Sequence, residues 1–435
     1  MSKPSSSLLS LLGRRRFGPL FVTQFLGAFN DNMFKNALAV LITYRLAEAQ
    51  GLDSKLWIPL AAGLFILPFF LFSATAGQLA DRHDKARMIR WVKLAEIPIM
   101  LLGALALVAG SAEMLVGVLF LMGSQSSFFG PLKYGILPDH LPDEDLIAAN
   151  GLVETGTFLA ILLGTMAGAL LVVGDGGTVL MGALVVGLAL AGWLSSRGIP
   201  PAPSTRPDLP VSYNLPLTTG RLLRDLSREP VVMMAVLGIS WFWFLGATYL
   251  TQFPTFTKFH IGGNEQVVTL FLSLFSIGIG AGSLLCNKLL GGRVRARHLP
   301  LAALGLSLFS ADLYFASPDE TQYTSYMGAA AFLSEPGNWR IVADMVGLSV
   351  AGGLFIVPLY AIMQTRTDPT HRARTVAANN VLNALLMVTS AVAVLLLLDA
   401  GATVTELFAL VGITNLMVVG LVWRLHRRLE NEKTA

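Results

Sequence analysis

The sequence predicts an all-α membrane protein of twelve spanning helices, arranged as two six-helix halves. Three observations predict it. First, 54% of the 435 residues are hydrophobic and only 13% are charged, with a mean hydropathy of +0.64; soluble domains carry about 25% charged residues. Too little charge remains to face water over a surface of this size. Second, the apolar residues gather into a dozen runs of the length, about 20 residues, that crosses a hydrocarbon core. Third, short motifs in the first half of the chain recur in the same order in the second.

The runs fall at 17–47, 55–80, 88–109, 112–137, 146–173 and 178–197, then at 231–258, 265–290, 297–316, 340–365, 371–398 and 402–425. The break between the sets, Arg197 to Pro230, is rich in proline and arginine and reads as a linker. The division is therefore 1–197 for the N-terminal half, 198–230 for the linker and 231–435 for the C-terminal half. Within the linker, Leu217–Arg228 puts Leu222, Leu223 and Leu226 on one face and Arg221, Arg224 and Arg228 towards the other. That pattern predicts a helix lying in the membrane interface.

Lysine and arginine set the orientation, because they are retained on the cytoplasmic side. With the N-terminus inside, 24 of the 31 fall on that side, among them Arg14–Arg16, Arg82, Lys85, Arg87, Arg372, Arg374, Arg427 and Arg428. Four fall outside (Arg45, Lys55, Lys258, Arg340), and Lys35, Lys93 and Lys133 lie within spans. Both termini are expected in the cytoplasm, which requires an even number of spans. The repeat agrees: Phe25-Leu26-Gly27-Ala28 recurs as Phe244-Leu245-Gly246-Ala247, Ala76-Gly77-Gln78-Leu79 as Ala281-Gly282-Ser283-Leu284, and Ala148-Ala149-Asn150 as Ala377-Ala378-Asn379. Repeats of this kind are how many transporters are built.

Composition also narrows the chemistry. A single cysteine, Cys286, leaves no internal disulfide or cysteine-based metal cluster, and the six histidines lack metal-ligand spacing, so no cofactor or metal is expected. Residues 1–16 are polar and basic, and the run after Phe17 is too long for a cleavable signal peptide. The basic residues have their explanation in topology and imply no nucleic-acid partner.

Polar residues inside the spans are the candidate functional residues, since a charge at mid-bilayer is costly and usually faces a cavity or a partner. Phe29-Asn30-Asp31-Asn32-Met33-Phe34-Lys35-Asn36 interrupts the first span. Asp31 and Lys35 lie four apart on one helix face and can pair, either as a pathway element or as a structural ion pair. In the fourth span, Phe128-Phe129-Gly130-Pro131-Leu132-Lys133-Tyr134-Gly135 offers Lys133, whose ammonium can face a cavity and attract a phosphate or can snorkel to the surface. Glu154 in the fifth span lies at similar depth and can pair with Lys133. Arg340 and Asp344, one turn apart near the outer end of the tenth span, read as an interfacial pair.

The segment Gly77-Gln78-Leu79-Ala80-Asp81-Arg82-His83-Asp84-Lys85-Ala86-Arg87, between spans two and three, resembles the conserved loop of the major facilitator superfamily. The resemblance implies the major facilitator fold, and a conformational latch between halves formed by Gly77, Asp81, Arg82, Lys85 and Arg87. Asp84 stands where the family usually has glycine, and the equivalent stretch Gly282–Arg293 has Cys286 in place of the aspartate. A narrower resemblance rests on Phe29-Asn30-Asp31-Asn32, on Pro131-Leu132-Lys133-Tyr134-Gly135-Ile136-Leu137 and on Ala149-Asn150-Gly151-Leu152-Val153-Glu154. These look like the bacterial lysophospholipid transporter family. That likeness implies inward flipping of lysophospholipids, chiefly lysophosphatidylethanolamine, across the inner membrane by alternating access. It covers most of the N-terminal half; the C-terminal half matches in layout only. In some relatives the transporter is fused to acyltransferase and acyl-ligase domains, so a cytoplasmic partner of that kind is implied for a chain carrying neither. A monomer among membrane lipids is expected.

The residues suit such a substrate. A zwitterionic head group offers an ammonium to Asp31 and a phosphate to Lys133, with Asn30, Asn32, Lys35, Tyr134 and Glu154 as further substrate contacts. Trp241, Phe242, Trp243 and Phe244 of the seventh span can line an acyl-chain cleft or pack against lipid. Two other readings stand: a proton-coupled exporter using Asp31 or Glu154 as proton carrier, and a non-transporting scaffold that presents lipid to an acyltransferase. His140-x4-Asp145 matches an acyltransferase signature literally, but a catalytic base needs an orienting shell and an oxyanion site. An eight-residue loop supplies neither, and no enzyme is expected. The segment Ser317–Trp339 reads either as a loop or as an amphipathic helix gating lipid entry.

Overall fold

The computed structural model describes residues 8–46 and 54–434; the distal end of the first predicted run and the start of the chain lie outside them, as does the side chain of Lys55. Twelve long helices follow in order: α1 (Gly18–Leu41), α2 (Ser54–Arg82), α3 (Lys85–Ala109), α4 (Ala112–Gly135), α5 (Asp143–Leu171), α6 (Gly177–Ser196), α7 (Pro230–Phe256), α8 (Glu265–Leu290), α9 (Leu299–Ala316), α10 (Trp339–Arg366), α11 (Arg372–Asp399) and α12 (Val404–Thr434). They match the twelve apolar runs one for one. Eleven are both long and apolar enough to cross a membrane. The exception is α1, whose 24 residues span about 36 Å at the helical rise but carry the polar stretch around Asp31.

The helices pair in a repeated pattern. In the first half α1 packs along α5 and α6, α2 along α4, and α3 along α4 and α6; in the second, α7 packs along α11 and α12, α8 along α10, and α9 along α10 and α12. The halves meet chiefly where α2 packs on α11 and α5 on α8. Arg14 pairs with Asp145 at the start of α5, Arg372 of α11 with Asp139, and Arg366 at the end of α10 with Glu432 of α12. The start and end of the described chain therefore share one face, called here the terminal face.

The linker helix forms over Leu215–Ser227, with Asn214 capping it by accepting from Leu217 N–H. It buries Thr218, Leu222 and Leu226 and leaves Arg221, Arg224 and Arg228 exposed, as the pattern predicts. The segment after Ser317 differs from the gating helix considered above. Its helical part is short (Ala329–Ser334), and much of the rest is strapped to the α7–α8 connection. Thr321 N–H donates to Phe259 carbonyl, Met327 N–H to Gly262 carbonyl, and the Tyr323 hydroxyl to His260 carbonyl. Backbone bonds satisfied this way remove the drive to form a longer helix.

Asp84 proves to be the residue that makes the α2–α3 turn, not one that impairs it. Its φ of −59° needs no glycine. Its carboxylate caps α3 by accepting from Arg87 N–H (2.7 Å) and holds the linker by accepting from Ala202 N–H (2.8 Å).

Candidate functional site

A cavity of about 270 Å3 lies between the halves. Its polar wall carries Asp31 and Lys35 of α1, Lys93 of α3, Ser126 and Lys133 of α4, and Asn380 and Asn383 of α11. Apolar lining comes from Phe65, Ile66 and Phe69 of α2, with Ala384 and Met387 of α11. Charge of both signs and an apolar wall thus share one space.

Asp31 accepts one hydrogen bond, from the Ser126 hydroxyl at 2.9 Å. The ion pair with Lys35 anticipated from their spacing is absent: the Lys35 ammonium sits 4.5 Å from the centre of the Phe65 ring instead. A helix face four residues apart brings two side chains near each other, but here the cation finds an aromatic face on α2, an attraction that strengthens when water is excluded. Lys133 does not pair with Glu154 either; its ammonium lies 4.5 Å from the Tyr134 ring centre, on the cavity wall. Asn32 lines the cavity and donates to Ala28 carbonyl.

Two residues expected to touch substrate turn away from the cavity. Asn30 is buried and donates to Glu96 (3.1 Å) and to Val185 carbonyl (3.2 Å). Glu154 lies one layer behind the wall, accepting from the Tyr134 hydroxyl, with its other oxygen unpartnered. Tyr134 stacks on Tyr360 of α10 with ring centres 4.2 Å apart, and Trp243 donates to the Tyr360 hydroxyl. This aromatic layer closes the cavity towards the terminal face. Of Trp241, Phe242, Trp243 and Phe244 in α7, only Trp243 lines the cavity; Phe242 packs on Phe158, and Trp241 and Phe244 stack on each other.

The sequence reading put Lys93 within a span but gave neither it nor Glu96 a role. They form a buried ion pair at 2.7 Å, and Glu96 also accepts from Asn30 and Gln125. Gly27 of α1 lets the Lys93 ammonium approach, since a Cβ there would collide with it. The signal was Lys93 and Glu96 three apart in an apolar run, one turn of a helix. The Arg340–Asp344 pair is also revised. Arg340 pairs with Asp312 of α9 (2.5 Å), while Asp344 is buried on α10.

Below the aromatic layer, the halves are joined by polar contacts. Asp81, fully buried at the end of α2, accepts from Ala373 N–H (2.9 Å), Arg374 N–H (3.3 Å) and the Arg374 guanidinium (2.9 Å). It caps α11 across the half boundary, where the helix dipole favours an anion. Gly77 permits this approach, because a Cβ there would stand 2.7 Å from Ala377 Cβ and 2.9 Å from Arg374 Cα. Lys85 and Arg372 both reach Asp139. Asn150 donates to Gln364 (2.7 Å), which donates back (3.2 Å) and also reaches Tyr134 carbonyl. Thr155 donates to Gly280 carbonyl. Among the described residues, all hydrogen bonds between the two sets of six helices lie in the half of the molecule nearer the terminal face. Arg82 and Arg87 are exposed there, and among the described residues no side-chain hydrogen bond or ion pair holds either. The turn leading into α11 is fixed by Asp368, whose carboxyl the Thr370 N–H holds below its usual range.

His140 and Asp145 form no dyad. The imidazole lies against the carbonyls of Arg16 and Pro201, and Asp145 pairs with Arg14.

The sequence model of the major facilitator superfamily matches residues 20–391. Among curated proteins, lysophospholipid transporters are similar: one from Klebsiella pneumoniae is 30% identical over 79% of this chain and 78% of its own length. One from Cronobacter sakazakii is 28% identical over 83% and 82%. In fold, the chain matches the human organic anion transporter with a TM-score of 0.73 at 14% identity, covering 94% of this chain and 99% of that one. The Escherichia coli fucose:proton symporter matches with 0.70 at 12% identity, covering 94% and 98%.

Proposed function

Given that the chain belongs to the major facilitator superfamily and to its lysophospholipid transporter family, we propose that it moves lysophospholipids from the outer to the inner leaflet of the bacterial inner membrane by alternating access. Lysophosphatidylethanolamine is the substrate of choice, and the terminal face is cytoplasmic. The observation that carries the reading is one cavity in which a carboxylate, Asp31, and an ammonium, Lys133, neither in an ion pair among the described residues, stand beside an apolar wall. A zwitterionic head group supplies both missing partners, its ammonium to Asp31 and its phosphate to Lys133. One acyl chain can run along Phe65, Phe69 and Met387. Tyr134, Asn32 and Lys35 border the head group, while Asn30 and Glu154 support the wall from behind.

In the transport cycle, loss of the Asp81–Arg374 clasp and of the Asn150–Gln364 bonds lets the terminal face open, and the head group leaves past Lys133. A cytoplasmic acyltransferase or acyl-ligase would consume the product, and the carrier works as a monomer.

The test is uptake of labelled lysophosphatidylethanolamine by spheroplasts lacking their own transporter, comparing the intact chain with Asp31→Asn. Uptake by the intact chain and its loss in a normally expressed variant is the expected result. A well-folded intact chain that takes up nothing removes the lipid assignment. Proton-driven efflux of another solute by that same protein would favour the exporter.

A further inference from the structure

A second cavity, of about 500 Å3, lies on the terminal face under the linker helix, apart from the central one. Four guanidinium groups border it (Arg206, Arg221, Arg228 and Arg374) against the carboxylates of Asp225 and Glu229. The two acids are already engaged: Asp225 lies 3.8 Å from Arg228, and Glu229 binds His371 at 2.8 Å. Among the described residues, the side chains of Arg206 and Arg221 have no hydrogen bond or ion pair. Arg374 gives Nε to Asp81 and Nη2 to Thr370 carbonyl, which leaves Nη1 free. Neutral donors and acceptors complete the wall, from Gln78, Ser212, Thr218 and Thr375. The guanidinium groups of Arg206, Arg221 and Arg374 thus border one concave space whose two carboxylates already have partners in Arg228 and His371.

We infer that this cavity binds a phosphate-bearing anion and that the bound anion holds the terminal face closed. Guanidinium groups recognise phosphate by forked hydrogen bonds, and arginine is favoured over lysine where that geometry matters. The walls come from both halves: Gln78 from α2, Arg374 and Thr375 from α11, with the linker across them. Ser212 N–H donates to Gln78 (2.8 Å) and the Thr205 hydroxyl to Pro369 carbonyl (3.1 Å), so the linker spans the seam. If α2 and α11 part at this face, the cavity loses one wall. A ligand that binds one conformation better shifts the population towards it. Because Nη1 of Arg374 is free, the anion can bind without displacing Asp81. The phosphate can belong to an anionic lipid head group, since the linker helix is amphipathic, or to a free phosphate in solution.

The test uses the full chain, with a double variant Arg206→Gln/Arg221→Gln. These arginines are exposed and unpaired, so their loss leaves the fold intact; Arg221→Lys controls for charge. One arm follows thermal unfolding of detergent-solubilised protein against inorganic phosphate, with chloride at equal ionic strength. The other compares nanodiscs of phosphatidylcholine with and without phosphatidylglycerol. The expected result is saturable stabilisation in at least one arm, with apparent affinity about tenfold weaker in the double variant, as for loss of a charge-assisted hydrogen bond. Stabilisation by phosphate identifies a free anion as sufficient; stabilisation by phosphatidylglycerol alone identifies the lipid. Stabilisation in neither arm, an equal effect of chloride, or an unchanged response of the double variant overturns the site. In a Cys286→Ser background, a cysteine placed at Met363, buried beneath the closed face, reads the coupling through its labelling rate. Binding should slow labelling, and binding that leaves the rate unchanged or raises it overturns the proposed hold on the closed face.

Discussion

Substituting Asp81→Asn should release the clasp between α2 and α11. The carboxylate accepts three hydrogen bonds, two of them from Arg374. Asparagine keeps the volume but loses the charge and one acceptor oxygen. Hydrogen bonds to a charged group contribute about 1.5–3 kcal/mol each. The Arg374 side chain is 25% exposed, so the lower end applies, and two weakened bonds amount to about 3 kcal/mol. At about 1.4 kcal/mol per factor of ten, the population open at the terminal face rises roughly 150-fold. Met363→Cys in the Cys286→Ser background reports it, because Met363 is buried between the halves near Tyr134 and Val376. With opening faster than modification, the rate of labelling by a water-soluble maleimide follows the open fraction. Arg374→Gln should act alike, and the double variant should fall well short of the sum, as coupled neighbours do. Labelling within twofold of the parent in well-expressed Asp81→Asn would refute the reasoning.

Three other outcomes are expected. Gly77→Ala should also raise Met363→Cys labelling, because the new methyl meets α11 backbone; overpacking of this kind costs about 1–3 kcal/mol. Lys93→Met should lower thermal stability in detergent by about 3–5 kcal/mol, because Glu96 is left buried and unpaired, while Lys93→Met/Glu96→Leu should recover most of the loss. Lysophospholipid binding, measured by quenching of tryptophan fluorescence, should weaken on Asp31→Asn and respond little to Glu154→Gln, which lies behind Tyr134; equal loss in both would put Glu154 back on the binding surface.

The fold was legible because apolar length is a direct readout of the bilayer. Even α1, too polar to pass on hydropathy, was marked by its position and by the polar stretch within it. The contact between α2 and α11 was legible through Gly77 and Asp81, although Arg82 and Arg87 of the same motif are exposed. The wall of the cavity was less so. Spacing puts Asp31 and Lys35 on one face, but which neighbouring helix each meets is set by tertiary packing, and Lys35 found Phe65. Glu154 sits at the depth its position suggests, yet Tyr134 intervenes. From the second half, Tyr360, Asn380 and Asn383 escaped notice because none carries charge. The run Asn379-Asn380, followed by Asn383 in an apolar helix, was the available signal.

The polar fastenings between the halves all sit along one rim, and a carrier clasped on one side has a preferred resting pose. On the proposed cycle, the empty carrier rests with its mouth turned away from the termini. On that reading, the energy for the swing to the other pose comes from whatever occupies the cavity. The proposed cycle would thereby suppress idle turnover, and a membrane could hold many copies of such a carrier without losing the difference between its two leaflets.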